Sequence, residues 1–247
     1  MNKAGSRLFW CFNPKLYPMI PNTLFGLTSV ICFLLPVLAI LIFRLYRHVS
    51  LIALAVYYLL TIMRCLGSNN IPPSPDFRDA FEVLFNYIEI PLMLSALLFF
   101  CPARQRQQKI QLIIGMFSVY EVLIAFVYGF TPLASLYIMT PGLMVIVLYA
   151  LFLFLRQARF TILHGKNIGR VVMLGALLFS YSCYLFMFYA HFVQGITDVS
   201  DIYAAHFLSA SIAAVFMAIG LFLMRQRIRD LQELKVTRRE LQIVFGG

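Results

Sequence analysis

Seven nearly uninterrupted apolar stretches recur along this chain, at residues 21 to 43, 50 to 67, 80 to 101, 110 to 130, 133 to 155, 170 to 194 and 202 to 224. Each is about the length that an α-helix needs to cross a bilayer, roughly 20 residues at ~1.5 Å per residue against a ~30 Å hydrocarbon core. No water reaches that core, so a segment crossing it must satisfy its own backbone hydrogen bonds. The expected fold is therefore all-α, an integral membrane bundle of seven transmembrane helices. Composition agrees. With 62% hydrophobic and 12% charged residues in 247, the chain has too little polar cover for a water-soluble domain. Three parts are expected: an interfacial N-terminal segment at 1–20, carrying Phe9, Trp10, Phe12 and Tyr17; the seven-helix domain at 21–224; and a charged amphipathic cytoplasmic helix at 225–247. The first apolar run is longer than the core of a cleaved signal peptide and is expected to be retained.

Short loops rich in Lys and Arg stay on the cytoplasmic side. Here 15 of the 20 basic residues follow the first, third, fifth and seventh stretches: Arg44 and Arg47, then Arg104, Arg106 and Lys109, then Arg156, Arg159, Lys166 and Arg170, then six from Arg225 to Arg239. Asp76, Asp79, Glu82, Asp198 and Asp201 gather in or beside the opposite loops. This asymmetry predicts an outside N-terminus and a cytoplasmic C-terminus in a multi-pass protein of a cell membrane, of the bacterial inner-membrane kind. The net charge of +10 is dispersed over inner helix ends, which suits the anionic headgroups of a lipid bilayer. It lacks the clustered basic face that nucleic acid requires. Five cysteines form no CxxC or Cys/His ligand pattern; the four in or at the ends of the apolar stretches read as small apolar packers, with a disulfide between Cys11 and Cys65, which both fall toward the outer side, as the alternative.

Prolines set the boundaries. Pro72, Pro73 and Pro75 keep the first outer loop non-helical, with Asp76 or Asp79 as cap of the third helix. Pro132 belongs near the first turn of the fifth helix, and Asp198 or Ser200 is a candidate cap for the seventh. Pro36, Pro91 and Pro141 fall inside apolar stretches, where each deletes a helical hydrogen bond. Such a break is either a kink absorbed by packing or a hinge beside a cavity.

An ionisable side chain inside hydrocarbon is costly and marks a site. Arg64, Glu89 and Glu121 lie within one to three turns of the outer surface, so they can share one pocket. Asn86, Tyr87, Tyr120, Thr140, Tyr184, Ser209 and Ser211 reach similar depth. Arg64, Glu89, Glu121, Asn86, Tyr120 and Tyr184 are thus the candidate ligand-binding residues of an outward-facing polar cavity, Arg64 taking an anionic group and the tyrosines supplying hydroxyls. At the outer rim, His191, His206, Asp198 and Asp201 are candidates for pH sensing or for a metal. They lack the HxxxH spacing that puts two histidines on adjacent turns, so no metal is assigned. The seventh stretch contains no lysine, which excludes covalent retinal of the microbial-rhodopsin kind, and no cofactor is assigned.

Beyond the seventh stretch, LQELKVTRRELQ at 231–242 resembles the signalling helix that joins seven-helix membrane sensor modules to histidine-kinase-type outputs. The resemblance implies a receptor-like protein that binds a small ligand and signals through its C-terminal helix, either as a homodimer paired along that helix or to a separate cytoplasmic partner. Two other readings use the same residues. A small-solute or proton-coupled transporter would carry protons on the acids and hinge at the prolines, and a membrane metallohydrolase would hold its metal at the rim. Nothing in the chain declares a catalytic residue, and the balance leans away from an enzyme.

Overall fold

The computed structural model describes residues 23–68, 75–101, 104–165, 167–192 and 205–225. Among them are seven α-helices and no strand: α1 (Thr23–Ile42), α2 (Val49–Ser68), α3 (Pro75–Leu97), α4 (Arg104–Tyr128), α5 (Pro132–His164), α6 (Ile168–Phe192) and α7 (Ala205–Arg225). Six of them, α2 to α7, are long and apolar enough to cross a membrane, and α1 carries a shorter apolar run, Gly26–Ile42. The interfacial segment expected at 1–20, the caps expected at Asp198 and Ser200, and the helix expected at 226–247 lie outside the described residues.

Helix ends follow local chemistry. Thr131, absent from the sequence-based expectations, caps α5, its hydroxyl accepting from the Ala134 N–H at 3.3 Å, with Pro132 opening the helix as expected. The same helix runs nine residues past the expected limit at 155. Arg156 and Arg159 end the hydropathy signal there, yet both favour helix and can extend their charges toward water. The helix stops only at Gly165, in the left-handed region with φ 62°, whose N–H bonds Thr161 O at 2.7 Å. α3 begins on Pro75 itself. Asp76 and Asp79 therefore lie within the helix instead of capping it, because proline's fixed φ suits a first helical position.

Consecutive helices from α1 to α6 pack in pairs, and α3 also packs on α5. α7 closes the bundle. At one end Phe222 meets Phe43 of α1's C-terminal edge, centroids 6.1 Å apart, and the Arg225 guanidinium lies 4.5 Å over the Phe43 ring. Against α6 the two backbones touch: a Cβ placed on Gly169 would stand 2.6 Å from Gly220 O and 2.9 Å from Met224 N. Lipid gives helices no hydrophobic reason to associate, so close approach at small residues supplies the attraction. The same end of the bundle holds Arg170 over Phe99 at 5.3 Å and His48 edge-on to Phe99 at 5.8 Å.

Polarity is inverted relative to a water-soluble fold. Phe126 is 90% exposed, and Met116, Leu163 and Phe186 also face outward, while Ser29, Thr61, Asn86, Glu89, Glu121, Ser135, Ser209 and Ser211 are buried. Apolar surface this continuous belongs against lipid. Within the bundle α3 is the central helix, with 56% of its apolar window buried, and α4 the peripheral one, with 17%.

Candidate functional site

The inner face of α3 places Phe85 and Glu89 one turn apart toward α2 and α6. Glu89 is 2% exposed, and its Oε1 accepts a hydrogen bond from the Tyr181 hydroxyl at 3.0 Å. From α2, Arg64 sets its guanidinium 5.2 Å from the Phe85 ring centroid, and its charge acts on both Glu89 and His206. Tyr57, two turns below Arg64 on α2, brings its hydroxyl to Tyr181, ring centroids 6.4 Å apart. From α7, His206 lies against the Tyr184 ring at 4.5 Å and beside Phe207 at 5.6 Å. Four helices thus meet at one polar cluster of a cation, a carboxyl, an imidazole and three phenols, walled by Phe85 and Tyr58.

Several of its atoms have no hydrogen-bond partner among the described residues: Glu89 Oε2, His206 Nδ1 and, one turn from Glu89 on α3, Asn86 Oδ1. Ser211 Oγ of α7 is a further such atom. Buried polar atoms are nearly always bonded, so a group of them marks a place that receives donors from elsewhere. The arrangement offers one fixed positive charge and at least two acceptors within an aromatic wall. It suits a small polar molecule with a charged group, held by charge-assisted bonds.

Of the residues singled out by sequence, Arg64, Glu89, Tyr184 and His206 come together here, with Asn86 beside them. Glu121 does not. It is buried on α4, and its carboxyl acts on Tyr87, which lies about 200° around α3 from Glu89. Its Oε1 has no partner among the described residues, and α3 stands between the two acids. Tyr120 is committed elsewhere too. Pro141 has no N–H for the carbonyl four residues back, and the Tyr120 hydroxyl donates to that carbonyl, Tyr137 O, at 2.9 Å. Thr140, beside the break, donates to Leu136 O at 2.8 Å. The side chains of His191, Asp198 and Asp201 lie outside the described residues. Among the described residues no group of three or more His, Cys, Asp or Glu could hold a metal. Tyr57, Tyr181 and Phe85 escaped the sequence reading. Their signal was the helical spacing Tyr57/Arg64, Phe85/Glu89 and Tyr181/Tyr184, which aligns each with a polar residue on one face.

The Tyr120 bond makes a direct prediction. Tyr120→Phe is expected to lower stability in detergent or nanodiscs by about 1–3 kcal/mol, because lipid offers Tyr137 O no replacement donor. Unchanged unfolding in a denaturant titration would mean that this carbonyl is satisfied in another way. No protein family, curated protein or solved structure matches the chain, so the site must be read from its own chemistry.

Proposed function

We propose that this protein is a seven-helix sensor of a bacterial-type inner membrane, with its N-terminus outside. A small charged ligand binds among Arg64, Glu89, Asn86, Tyr184 and His206 and signals through the C-terminal helix. The observation that carries this reading is the set of buried atoms without a partner among the described residues, Glu89 Oε2, His206 Nδ1 and Asn86 Oδ1, around Arg64, whose charge acts on Glu89 and His206. Its bearing on signalling comes from α7. That helix contributes His206 at one end and Arg225, packed over Phe43, at the other. A ligand bonded to His206 but not equally accommodated in a second packing of α7 would shift the balance between the two. The displacement would reach residues 226–247, and through them a second copy of the chain or a cytoplasmic partner.

Native mass spectrometry before and after mild delipidation tests binding. The wild type is expected to retain a small molecule that Arg64→Ala loses; bare protein in both would sink a tightly held ligand. Paired spin labels replacing exposed Phe222 and Leu163 test the second half. The distance between them should change when the recovered ligand is added to stripped wild type, and an unchanged distance would leave a binding protein without this signalling route.

A second reading, small-solute or proton-coupled transport, draws on one observation. Ile90, next to Pro91, packs directly against Gly142, next to Pro141, so the proline-bearing segments of α3 and α5 adjoin. In that case proteoliposomes would show flux that Glu89→Gln abolishes.

A further inference from the structure

A gap in the fold lies away from the Arg64 cluster, between α4 and α5. It has a volume of about 350 Å³ and is lined by Ile113, Met116, Phe117, Tyr120 and Pro141. This is within the size range of ligand-holding cavities and well beyond the packing voids of protein interiors. Four features identify its occupant. The lining contains no charged side chain, and its one side-chain hydroxyl, that of Tyr120, is already bonded to Tyr137 O. Water would find too few partners there to stay. The gap lies along two helices long and apolar enough to cross a membrane, and α4 is the least buried of these. Around its mouth Leu112, Met116 and Val119 are all more than half exposed, so it opens toward the bilayer and not toward the bundle interior.

We propose that this groove is a binding site for one hydrocarbon chain of a bilayer phospholipid, held against the Pro141 ring and the face of Tyr120. The chain fills the space that α4 and α5 leave beside Pro141. It keeps the Tyr120 to Tyr137 bond dry, and so stabilises α5 where Pro141 offers no N–H to Tyr137 O, without any headgroup contact. The site therefore selects for chain and not for charge, and bilayers of different acyl length or unsaturation should occupy it differently.

The test places the full-length protein in nanodiscs that contain a phospholipid with a diazirine in its acyl chain, followed by illumination and mapping of adducts by mass spectrometry. Adducts on Met116, Phe117 or Tyr120 are expected to exceed those on Phe186, an outward-facing residue of α6 that is 70% exposed, by roughly tenfold if the groove holds its chain with even a modest preference. Ile113→Trp, which fills the groove, should remove most of that excess and leave Phe186 labelling unchanged. Equal labelling of groove and Phe186, or an excess untouched by the filling variant, would overturn the proposal. Should Ile113→Trp fail to fold, dilution with unlabelled phospholipid decides the matter on the wild type. Groove adducts should then fall at a different mole fraction from Phe186 adducts, and parallel loss at both would reduce the groove to ordinary lipid contact.

Discussion

Arg64→Ala is expected to destabilise the bundle by about 3 kcal/mol, and adding Glu89→Gln is expected to restore most of that loss. The guanidinium supplies the opposite charge that acts on the buried Glu89 carboxyl, and it also caps the Phe85 ring at 5.2 Å. Its removal leaves Glu89 with the hydrogen bond from Tyr181, in a region that water does not screen. A lone buried carboxylate in that setting is strongly unfavourable. Glutamine keeps an oxygen to accept from Tyr181 and carries no charge to compensate. What the double variant should still lack is the packing and cation–π contact of Arg64 on Phe85, about 0.5–2 kcal/mol. Unfolding of the two single variants and the double variant in mixed micelles closes a thermodynamic cycle. Additive losses would show that the two side chains do not depend on each other, and the cluster would then be separate polar residues without a common site.

The sequence made the helices and the depth of their polar residues easy to read, because both follow from length at ~1.5 Å per residue. Arg64 and Glu89 were placed at compatible depths on that basis, and the Arg64 charge acts on the Glu89 carboxyl. Glu121 failed at the same step, since depth says nothing of direction. A carboxyl at similar height on α4 lies across α3 from the cluster, facing Tyr87. The tyrosines were hidden for another reason. In an apolar run, Tyr57 and Tyr181 read as large fillers, and only the folded contact with Glu89 distinguishes them from other rings. Tyr120 carried the opposite error: its polar atom suggested a ligand, whereas the carbonyl released by Pro141, 17 residues away along the chain, claims it. No local pattern announces such a bond. The extent of α5 beyond 155 went unread because arginine ends a hydropathy window without ending a helix.

Alanine at Gly169 or at Gly220 is expected to cost about 2–3 kcal/mol, against no loss at all for Gly115→Ala. The difference lies in what the new methyl group meets. At Gly169 it would stand 2.6 Å from a backbone oxygen of α7 and 2.9 Å from a backbone nitrogen; at Gly220, 2.5 Å from Met173 Cγ and 2.8 Å from Gly169 O. A backbone atom in a helix cannot swing aside, so α6 and α7 must separate. At Gly142 the clash is with the side chain of Ile90, which can adjust, and a smaller loss is expected there. At Gly115 nothing lies within 4 Å, and alanine should instead gain up to ~1 kcal/mol in helix propensity. Unfolding of the four variants under one condition checks the ranking, and a Gly169→Ala protein as stable as Gly115→Ala would remove the backbone contact from the account. The consequence for the proposed sensor follows from where this contact lies. The contacts between α7 and α6 include His206 on Tyr184 near one end and Gly220 on Gly169 near the other. Widening the second leaves the first in place, so α7 should tilt about His206 and carry Arg225 away from Phe43. The spin-label distance from position 222 to position 163 in unliganded Gly169→Ala should then shift from its wild-type value, with the Arg64 cluster intact. Ligand retention that persists alongside such a shift would separate binding from its transmission along α7.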